Sequence, residues 1–409
     1  MEASDEVLGT IGYGAYRVSI ENKSHLESLK YAINCGCRII DTAPNYSNGD
    51  SEKLIGEILK NETTKDLKII TKVGYLDDVD VEIFKDYSYL IKNEFYFSIH
   101  PKFIEYKISK SLERMKIDSV FCMMLHNPEY LFSEMDEKSV YEEIKKSFQY
   151  LETLVKENRI QCYGISSNLF AEYDQSNYLK LEKVLAIANE ISEDNQFKFI
   201  QFPFNIYEVK ALELRFGNQR TNLFEFAKSN GIKTIINRPF IGSVDKKPIK
   251  IVVYSNAKDF DLNKNYFDQF NRKLKEITNS INSLSKEIED FLKENWINFK
   301  SEKLLRLYFQ NILYKYFEEA NITTMKDFNE ILAEFYHGCL AHIKYRITIF
   351  NLRLKEQILN QNPEFSRTDS FAATLIKLYR KQGADIVLTG MRKIKYVEEM
   401  KTVFQENEN

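Results

Sequence analysis

The stretch Cys37-Arg38-Ile39-Ile40-Asp41-Thr42-Ala43 decides the fold, because it is a short apolar run that precedes an amphipathic helical stretch, Ser51–Leu59. The run Leu67–Val73 follows and has the same character. Continuous apolar runs fit strands that are buried on both faces, which is typical of a parallel sheet. This alternation of strand and helix predicts an α/β fold.

The same pattern repeats along the chain. The predicted strands are Val7–Val18, Cys37–Ala43, Leu67–Val73, Ser119–His126, Cys162–Ser167, Lys198–Asn205, Lys233–Phe240 and Asp385–Met391. The predicted helices between them are His25–Asn34, Ser51–Leu59, Phe103–Met115, Val140–Glu157, Leu179–Ile191 and Thr221–Ser229. Eight strand–helix units predict a (β/α)8 TIM barrel.

The seventh unit is interrupted by a long segment, residues 243–365. Two seams of apolar residues at spacings of three and four occur in it. They are Phe267, Phe270, Leu274, Ile277, Ile281, Leu284, Ile288 and Phe291, and then Tyr336, Leu340, Ile343, Ile347, Phe350 and Leu354. We predict an inserted helical, coiled-coil-like subdomain, either a small helical bundle or an antiparallel coiled coil, with the barrel formed by residues 1–242 and 366–409. The seams either pack on each other or form an arm for homodimerisation or a protein partner.

Composition excludes several classes of protein. The chain has 409 residues, and 57 Lys and Arg against 60 Asp and Glu give a net charge of −3, which argues against a polycation that binds nucleic acid. No apolar run approaches the ~20 residues of a membrane span. The acidic stretch Met1–Glu6 predicts no secretory signal. Five Cys residues, interpreted as reduced thiols, predict a cytoplasmic location.

Four polar residues lie at or after the ends of predicted strands. Asp41 ends the second strand and Tyr46 follows it, Lys72 ends the third strand, and His126 ends the fourth. Catalytic groups of such barrels come from the C-terminal ends of the strands. Each residue alone has an ordinary structural explanation, as a cap, a surface aromatic or a loop residue. The set on successive strands is what indicates a site.

These four side chains fit proton donation to a carbonyl. A free Tyr has a pKa of about 10 and is a poor acid at neutral pH. We expect the Lys72 ammonium to lower the pKa of Tyr46, and Asp41 to keep Lys72 charged and placed. A neutral His126 would orient the carbonyl, and Tyr46 would supply the proton to its oxygen. The set therefore predicts carbonyl reduction or, in reverse, alcohol oxidation.

Several motifs resemble those of the aldo-keto reductases. They are Ile40–Tyr46 continuing to Gly49–Glu52, similar to D-T-A-x-x-Y…G-x-S-E, then Thr71–Gly74, Ser111–Asp118 and Leu125–Glu129. The resemblance runs from about Leu8 to Phe240 and resumes from about Ser366 to Phe404. It implies a barrel with Tyr46 as acid and base, supported by Lys72, Asp41 and His126.

The resemblance also implies contacts to the nicotinamide end of a cofactor. The run Gly164-Ile165-Ser166-Ser167-Asn168 is similar to the family's G-V-S-N segment, and either Ser166 or Ser167 takes the serine role. Gln201 matches the family's glutamine at the nicotinamide. Gly14-Ala15-Tyr16 resembles the G-T-[WY] motif at the base of the cofactor.

The phosphate end is predicted from two further segments. Gly390-Met391-Arg392 closes the eighth strand and is expected to open the last helix, whose N-terminus suits a phosphate. Arg392 and Lys393 favour NADP(H), with NAD(H) as the alternative. Asn237-Arg238 stands where the family usually has an aromatic residue, and Arg238 is expected to reach the pyrophosphate.

We predict an NAD(P)H-dependent oxidoreductase acting on a small aldehyde, ketone or aldose. The alternative is a non-catalytic barrel that senses the cofactor or acts as a scaffold through its helical insertion. A Rossmann site is excluded because Gly9, Gly12 and Gly14 do not have its spacing. No metal site is predicted, since His337 and His342 fall on different faces of a helix.

Overall fold

The computed structural model describes residues 10–60, 66–216, 220–244, 247–255, 257, 264–279 and 283–405. Contacts divide the chain into two compact units, residues 1–249 with 364–409 and residues 250–363. The second unit lies within the segment predicted at residues 243–365 and is shorter at both ends. The start of the predicted first strand, residues 7–9, lies outside the described residues.

The first unit contains a closed barrel of eight strands. They are β1 (Thr10–Gly14), β2 (Ile39–Asp41), β3 (Lys68–Val73), β6 (Val120–His126), β7 (Ile160–Ser166), β8 (Phe197–Pro203), β9 (Lys233–Asn237) and β12 (Ile386–Thr389). All eight pairings are parallel, in the order β1-β12-β9-β8-β7-β6-β3-β2. The predicted TIM barrel is confirmed.

Helices alternate with the strands of this unit. They are α1 (Lys23–Asn34), α2 (Asp50–Leu59), α3 (Asp78–Phe84), α4 (Pro101–Met115), α5 (Glu137–Lys156), α6 (Leu181–Ile191), α7 (Leu223–Ser229), α13 (Phe371–Lys381), α14 (Ile394–Glu398) and α15 (Lys401–Gln405). Local chemistry sets where several begin, because a polar side chain satisfies the first free N–H groups. Asp136 accepts the N–H of Ser139 before α5, and Asn222 and Glu225 form a capping box at α7.

The strands are apolar because the barrel buries both of their faces. Every residue of β6 is buried, and the interior is filled by a cluster that includes Ile70, Met124 and Phe199. Close approach of two strands requires glycine at one point. A Cβ atom on Gly164 of β7 would lie 2.3 Å from the carbonyl oxygen of Phe199 on β8.

Two β-hairpins were not predicted. One, β4 (Tyr89–Ile91) with β5 (Phe95–Phe97), lies between α3 and α4, and the other is β10 (Ile241–Val244) with β11 (Lys247–Lys250). Lys92 and Asn93 turn the first hairpin with positive φ angles of 48° and 58°, a conformation that Asn tolerates. Two short aromatic runs on either side of Asn93 are the sequence feature that could have predicted this first hairpin.

The second unit is a helical bundle. Its helices are α8 (Tyr266–Thr278), α9 (Lys286–Asn295), α10 (Glu302–Tyr308), α11 (Lys315–Glu319) and α12 (Phe328–Gln361), with a π-helical turn at Phe309–Tyr314 between α10 and α11. An aromatic-rich cluster forms its core, and Phe270 stacks on Phe335 with ring centroids 4.5 Å apart. None of the described helices is long and apolar enough to cross a membrane.

The continuous first seam predicted for this unit is wrong. Asn279 has a left-handed φ of 49° and ends α8, and Ser285 caps a new helix, α9. Ile281 lies outside the described residues. The second seam lies within α12, where Leu340 and Ile343 are buried but Phe350 is 57% exposed. The unit packs several helices around aromatic side chains, so of the two predicted arrangements it agrees with the small helical bundle and differs from the antiparallel coiled coil.

Candidate active site

The four predicted catalytic side chains come together at one end of the barrel. Asp41 is the last residue of β2, Lys72 the penultimate residue of β3, and His126 the last residue of β6. Tyr46 begins the short helical turn Tyr46–Gly49 that follows β2. All four are buried. The parallel strands place these residues together because all their C-terminal ends lie at the same rim.

Lys72 is the centre of this group. Its Nζ atom lies 2.6 Å from Oδ1 of Asp41 and 2.9 Å from the carbonyl oxygen of Thr42. The same atom lies 3.2 Å from the hydroxyl oxygen of Tyr46. An ammonium has three hydrogens to donate, and these three oxygens satisfy them. Lys72 is therefore fixed against the Tyr46 hydroxyl.

A chain of hydrogen bonds continues from Asp41 to two residues predicted to bind the cofactor. Gln201 on β8 donates from Nε2 to Oδ2 of Asp41 over 2.8 Å. Ser166 on β7 donates from Oγ to Oε1 of Gln201 over 2.9 Å. The Ser167 hydroxyl instead accepts the N–H of Leu169. The structure thus connects Ser166, through Gln201 and Asp41, to Lys72.

Aromatic rings pack around the Tyr46 ring. The His126 ring lies edge to face with Tyr46, with centroids 6.1 Å apart, and Tyr75 contacts His126 at 5.0 Å. Tyr16 packs against the other side of Tyr46 at 5.1 Å and is 61% exposed. Tyr75, which lies three residues after Lys72, was not predicted as part of the site.

The protonation states follow from burial. Burial lowers the pKa of His126 well below its usual range, and the Lys72 charge acts in the same direction, so the ring is neutral as predicted. Burial also lowers the pKa of Lys72, although Asp41 opposes this. The predicted lowering of the pKa of Tyr46 is wrong. Burial raises that pKa well above 10, and Asp41 and Tyr16 add to the effect, so the phenol keeps its proton at neutral pH.

Asn168 is held by two residues that sequence analysis did not assign to the site. Its backbone N–H donates to Oε1 of Glu129 over 2.9 Å, and its side-chain Nδ2 donates to Oδ1 of Asn127 over 3.2 Å. Asn127 has a left-handed φ of 60° and donates its N–H to the carbonyl oxygen of Ser166 over 2.6 Å. Both residues lie in the segment Leu125–Glu129, so the motif that resembles the aldo-keto reductases already contained these two members of the site.

Asn237 and Arg238 lie at the end of β9. Asn237 donates from Nδ2 to Gln201 over 3.4 Å, and its Oδ1 atom is buried with no hydrogen-bond partner within the described ranges. Arg238 has a left-handed φ of 55° and a half-exposed side chain that forms an ion pair with Glu208, 3.3 Å away. Arg238 also lines a cavity of about 320 Å³ next to Asn168.

The segment Gly14-Ala15-Tyr16 follows β1 at the same rim. Gly14 is paired with Asp41 in the barrel. Ala15 is buried, and its N–H donates to the carbonyl oxygen of Asp41 over 2.9 Å. The backbone of this segment is therefore joined directly to the strand that carries the predicted catalytic Asp.

The placement of Gly390-Met391-Arg392 differs from the prediction. β12 ends at Thr389 and α14 begins only at Ile394, so these residues form a connecting loop, and the helix that follows has five residues. Met391 is buried and accepts the hydroxyl of Ser28, whereas Arg392 is exposed. The pKa of His25 on α1 is lowered by burial and by Arg392 and Lys393, so three basic side chains lie near one another here.

Two buried polar atoms at the strand ends have no partner in the described part of the chain. They are the Oδ1 atom of Asn237 and the Oγ1 atom of Thr389, which precedes Gly390. A Cβ atom on Gly390 would meet nothing within 4 Å. Buried polar groups are almost always hydrogen-bonded, so these atoms and this open space fit a polar ligand that lies across the ends of β9 and β12.

Comparison with known proteins agrees with this arrangement. The model of the Aldo/keto reductase family matches residues 7–296. This range continues past β9 into the second unit, where the sequence resemblance had stopped at Phe240, and it does not include residues 366–404.

Curated relatives match over shorter ranges. An NADH-specific methylglyoxal reductase of Escherichia coli is 30% identical over 122 residues, which is 29% of this chain and 36% of that protein. The aldo-keto reductase YhdN of Bacillus subtilis is 23% identical over 237 residues, 58% of each chain. The uncharacterized oxidoreductase YqkF of the same organism is 27% identical over 42% of this chain and 49% of its own. The chain spans about half the length of the curated relatives it matches.

A solved structure shows the same fold over most of the chain. The glycerol dehydrogenase from Gluconobacter oxydans superimposes with a TM-score of 0.50 at 18% identity, covering 97% of this chain and 88% of that one.

Proposed function

This chain belongs to the aldo/keto reductase family, and from that premise we propose that it is an NADP(H)-dependent oxidoreductase that reduces the carbonyl of a small aldehyde, ketone or aldose. The observation that carries the proposal is the position of Lys72. Its ammonium lies 2.6 Å from Asp41 and 3.2 Å from the Tyr46 hydroxyl at the rim of the barrel. Tyr46 is proposed as the proton donor.

The roles of the four residues follow from this geometry. When bound, the cofactor would supply a hydride to the carbonyl carbon. The carbonyl oxygen then gains negative charge, and the Tyr46 O–H donates the proton to it. Lys72 donates a hydrogen bond to the phenolate that remains, and Asp41 and the Thr42 carbonyl oxygen hold Lys72 in place. Neutral His126 can donate a hydrogen bond to the same carbonyl oxygen and so orient it.

Residues around the rim would hold the cofactor. Asn168, Ser166 and Gln201 would bind the nicotinamide carboxamide. Hydrogen bonds join Ser166 and Gln201 to Asp41. Gly14, Ala15 and Tyr16 would contact the base of the cofactor. Arg238 and the loop Gly390-Met391-Arg392 would bind the phosphates, and the unpartnered Thr389 hydroxyl next to this loop can donate to one of them. Asn237, which donates to Gln201, would contact the cofactor nearer the nicotinamide.

Selectivity for NADP(H) is proposed to come from the loop after β12. Arg392 and Lys393 stand there close to His25, and adjacent cations favour the additional 2′-phosphate. NAD(H) remains the competing cofactor, and one relative is named as NADH-specific. A direct comparison of the two cofactors decides between them.

The proposal is tested by titrating the protein with NADPH and NADH, followed by fluorescence, and then adding a panel of aldehydes, ketones and aldoses. We expect tighter binding of NADPH and turnover of at least one carbonyl. Tight binding without turnover by the wild type would favour a cofactor sensor or scaffold that acts through the helical unit. Absence of binding by either cofactor would refute the proposal.

A further inference from the structure

A buried carboxylate, Glu129, joins two segments of the site. It lies in the turn Pro128–Ser133, directly after His126 and Asn127, and is 1% exposed. Its Oε1 atom accepts the N–H of Asn168, and its Oε2 atom is buried without a hydrogen-bond partner among the described residues. An unsatisfied buried carboxylate oxygen costs stability, so stability alone does not explain Glu129.

The contacts of Glu129 fix the loop after β7 to the loop after β6. Asn168 is bound at its backbone by Glu129 and at its side chain by Asn127. Asn127 in turn holds the carbonyl oxygen of Ser166 and donates to the hydroxyl of Tyr75 over 2.8 Å. The orientation of the Asn168 side chain therefore depends on where Glu129 holds its backbone.

We propose that ionised Glu129 is a positioning residue that sets Asn168 in the orientation in which it binds the nicotinamide carboxamide. This inference rests on the proposed function, which makes Asn168 a cofactor ligand. Glu129 itself acts only through Asn168. A hydrogen bond to an ionised acceptor is roughly twice as strong as one to a neutral acceptor, so the carboxylate holds the Asn168 N–H more firmly than the acid does.

The charge of Glu129 changes in the neutral range. Burial raises the pKa of Glu129 to about 7, although the hydrogen bond from the Asn168 N–H lowers it. Glu129 faces Tyr75, which lies in the segment after β3. The pKa of Tyr75 is raised, chiefly by burial, so the Tyr75 hydroxyl is neutral. On its own segment, His126 is also neutral. Nicotinamide binding should therefore weaken as the pH falls below about 7.

The experiment compares two ligands that differ only in the nicotinamide end. The 2′-phosphate of NADPH itself titrates at about pH 6, so 2′-phospho-ADP-ribose, which carries the same phosphates, is measured beside it by displacement of NADPH. The ratio of the two dissociation constants isolates the nicotinamide contribution. For the wild type, we expect the ratio of the 2′-phospho-ADP-ribose dissociation constant to the NADPH dissociation constant to fall about fivefold between about pH 8.5 and about pH 6.

Two variants separate positioning from general structure. Glu129→Gln mimics the neutral acid. The ratio of the two dissociation constants for this variant should therefore be independent of pH and equal to that of the wild type at low pH. Glu134→Gln is the matched control, an exposed carboxylate in the same loop, and should follow the wild type. A pH-independent ratio in the wild type, or a Glu129→Gln ratio that still varies with pH, would overturn the inference.

Calorimetry on the wild type provides a test that does not depend on a folded variant. If the ionised form binds better, binding of NADPH near pH 7 releases a fraction of a proton more than binding of 2′-phospho-ADP-ribose. Equal proton release by the two ligands would overturn the positioning role while leaving cofactor binding intact. Failure of both ligands to bind would instead refute the proposed function, and this inference with it.

Discussion

Replacing Tyr46 with Phe removes one hydroxyl and keeps the ring. The ring contacts, 5.1 Å to Tyr16 and 6.1 Å to His126 between centroids, do not involve that hydroxyl. The group that is lost is the oxygen 3.2 Å from Nζ of Lys72. Tyr46→Phe therefore tests proton donation with little other change to the site.

The structure sets the expected sizes of the effects. A positioned general acid contributes roughly 10²- to 10⁴-fold to a rate, so kcat should fall by that factor. Lys72 keeps its bonds to Asp41 and the Thr42 carbonyl oxygen, so we expect the free energy of unfolding to fall by only about 1 kcal/mol. The NADPH dissociation constant should change little, because Gln201 and Asn168 do not contact the hydroxyl.

Three measurements check this prediction: NADPH oxidation followed by absorbance with the best carbonyl substrate, NADPH binding followed by fluorescence, and thermal unfolding. A folded variant that binds NADPH normally and retains more than about a tenth of the wild-type kcat would refute Tyr46 as the proton donor. Loss of activity together with loss of NADPH binding would contradict the assignment of proton donation to Tyr46 and of cofactor binding to other residues.

Three further predictions concern the cofactor loop, the helical unit and pH. Arg392→Ala should weaken binding of NADPH more than of NADH, and equal losses would remove Arg392 as the 2′-phosphate ligand. Joining the chain across a deletion of residues 250–363 should leave a barrel that is folded by circular dichroism, whereas complete misfolding would contradict the insertion. Burial raises the pKa of Glu129 from its ordinary value of 4.5 to about 7 in the folded protein. The stability that the protonated Glu129 contributes is therefore fully present below about pH 4.5 and is lost as the pH rises through 7. In urea unfolding, the free energy of unfolding of Glu129→Gln should rise by up to about 3 kcal/mol relative to that of the wild type between about pH 5 and about pH 8, and an unchanged difference would contradict this.

Much of the site could be predicted because its parts are close in sequence to recognisable strand ends. Asp41 and Lys72 each follow a continuous apolar run, and runs buried on both faces indicate a parallel sheet whatever their partners are. Once eight such runs close into a barrel, their C-terminal ends share one rim. The meeting of Asp41, Lys72 and His126 follows from that topology.

Other features depended on contacts between distant parts of the chain. Gln201 binds Asp41 across 160 positions, and no local pattern joins them. The direction of the pKa change at Tyr46 was predicted wrongly because the sequence shows which charges are near but not how much water is excluded. The break at Asn279 also could not be seen in the spacing of the apolar residues alone.

The sequence by itself determined the barrel, the helical nature of the long segment and the four residues at the strand ends, because periodicity and strand-end position are local properties of a chain. Only the tertiary structure decided that Ser166, Gln201, Asp41, Lys72 and Tyr46 form one hydrogen-bonded chain and that Glu129 holds Asn168 from a buried position. Burial and hydrogen-bond partners arise where segments far apart in sequence pack together, so they set protonation and orientation in ways that residue order does not record.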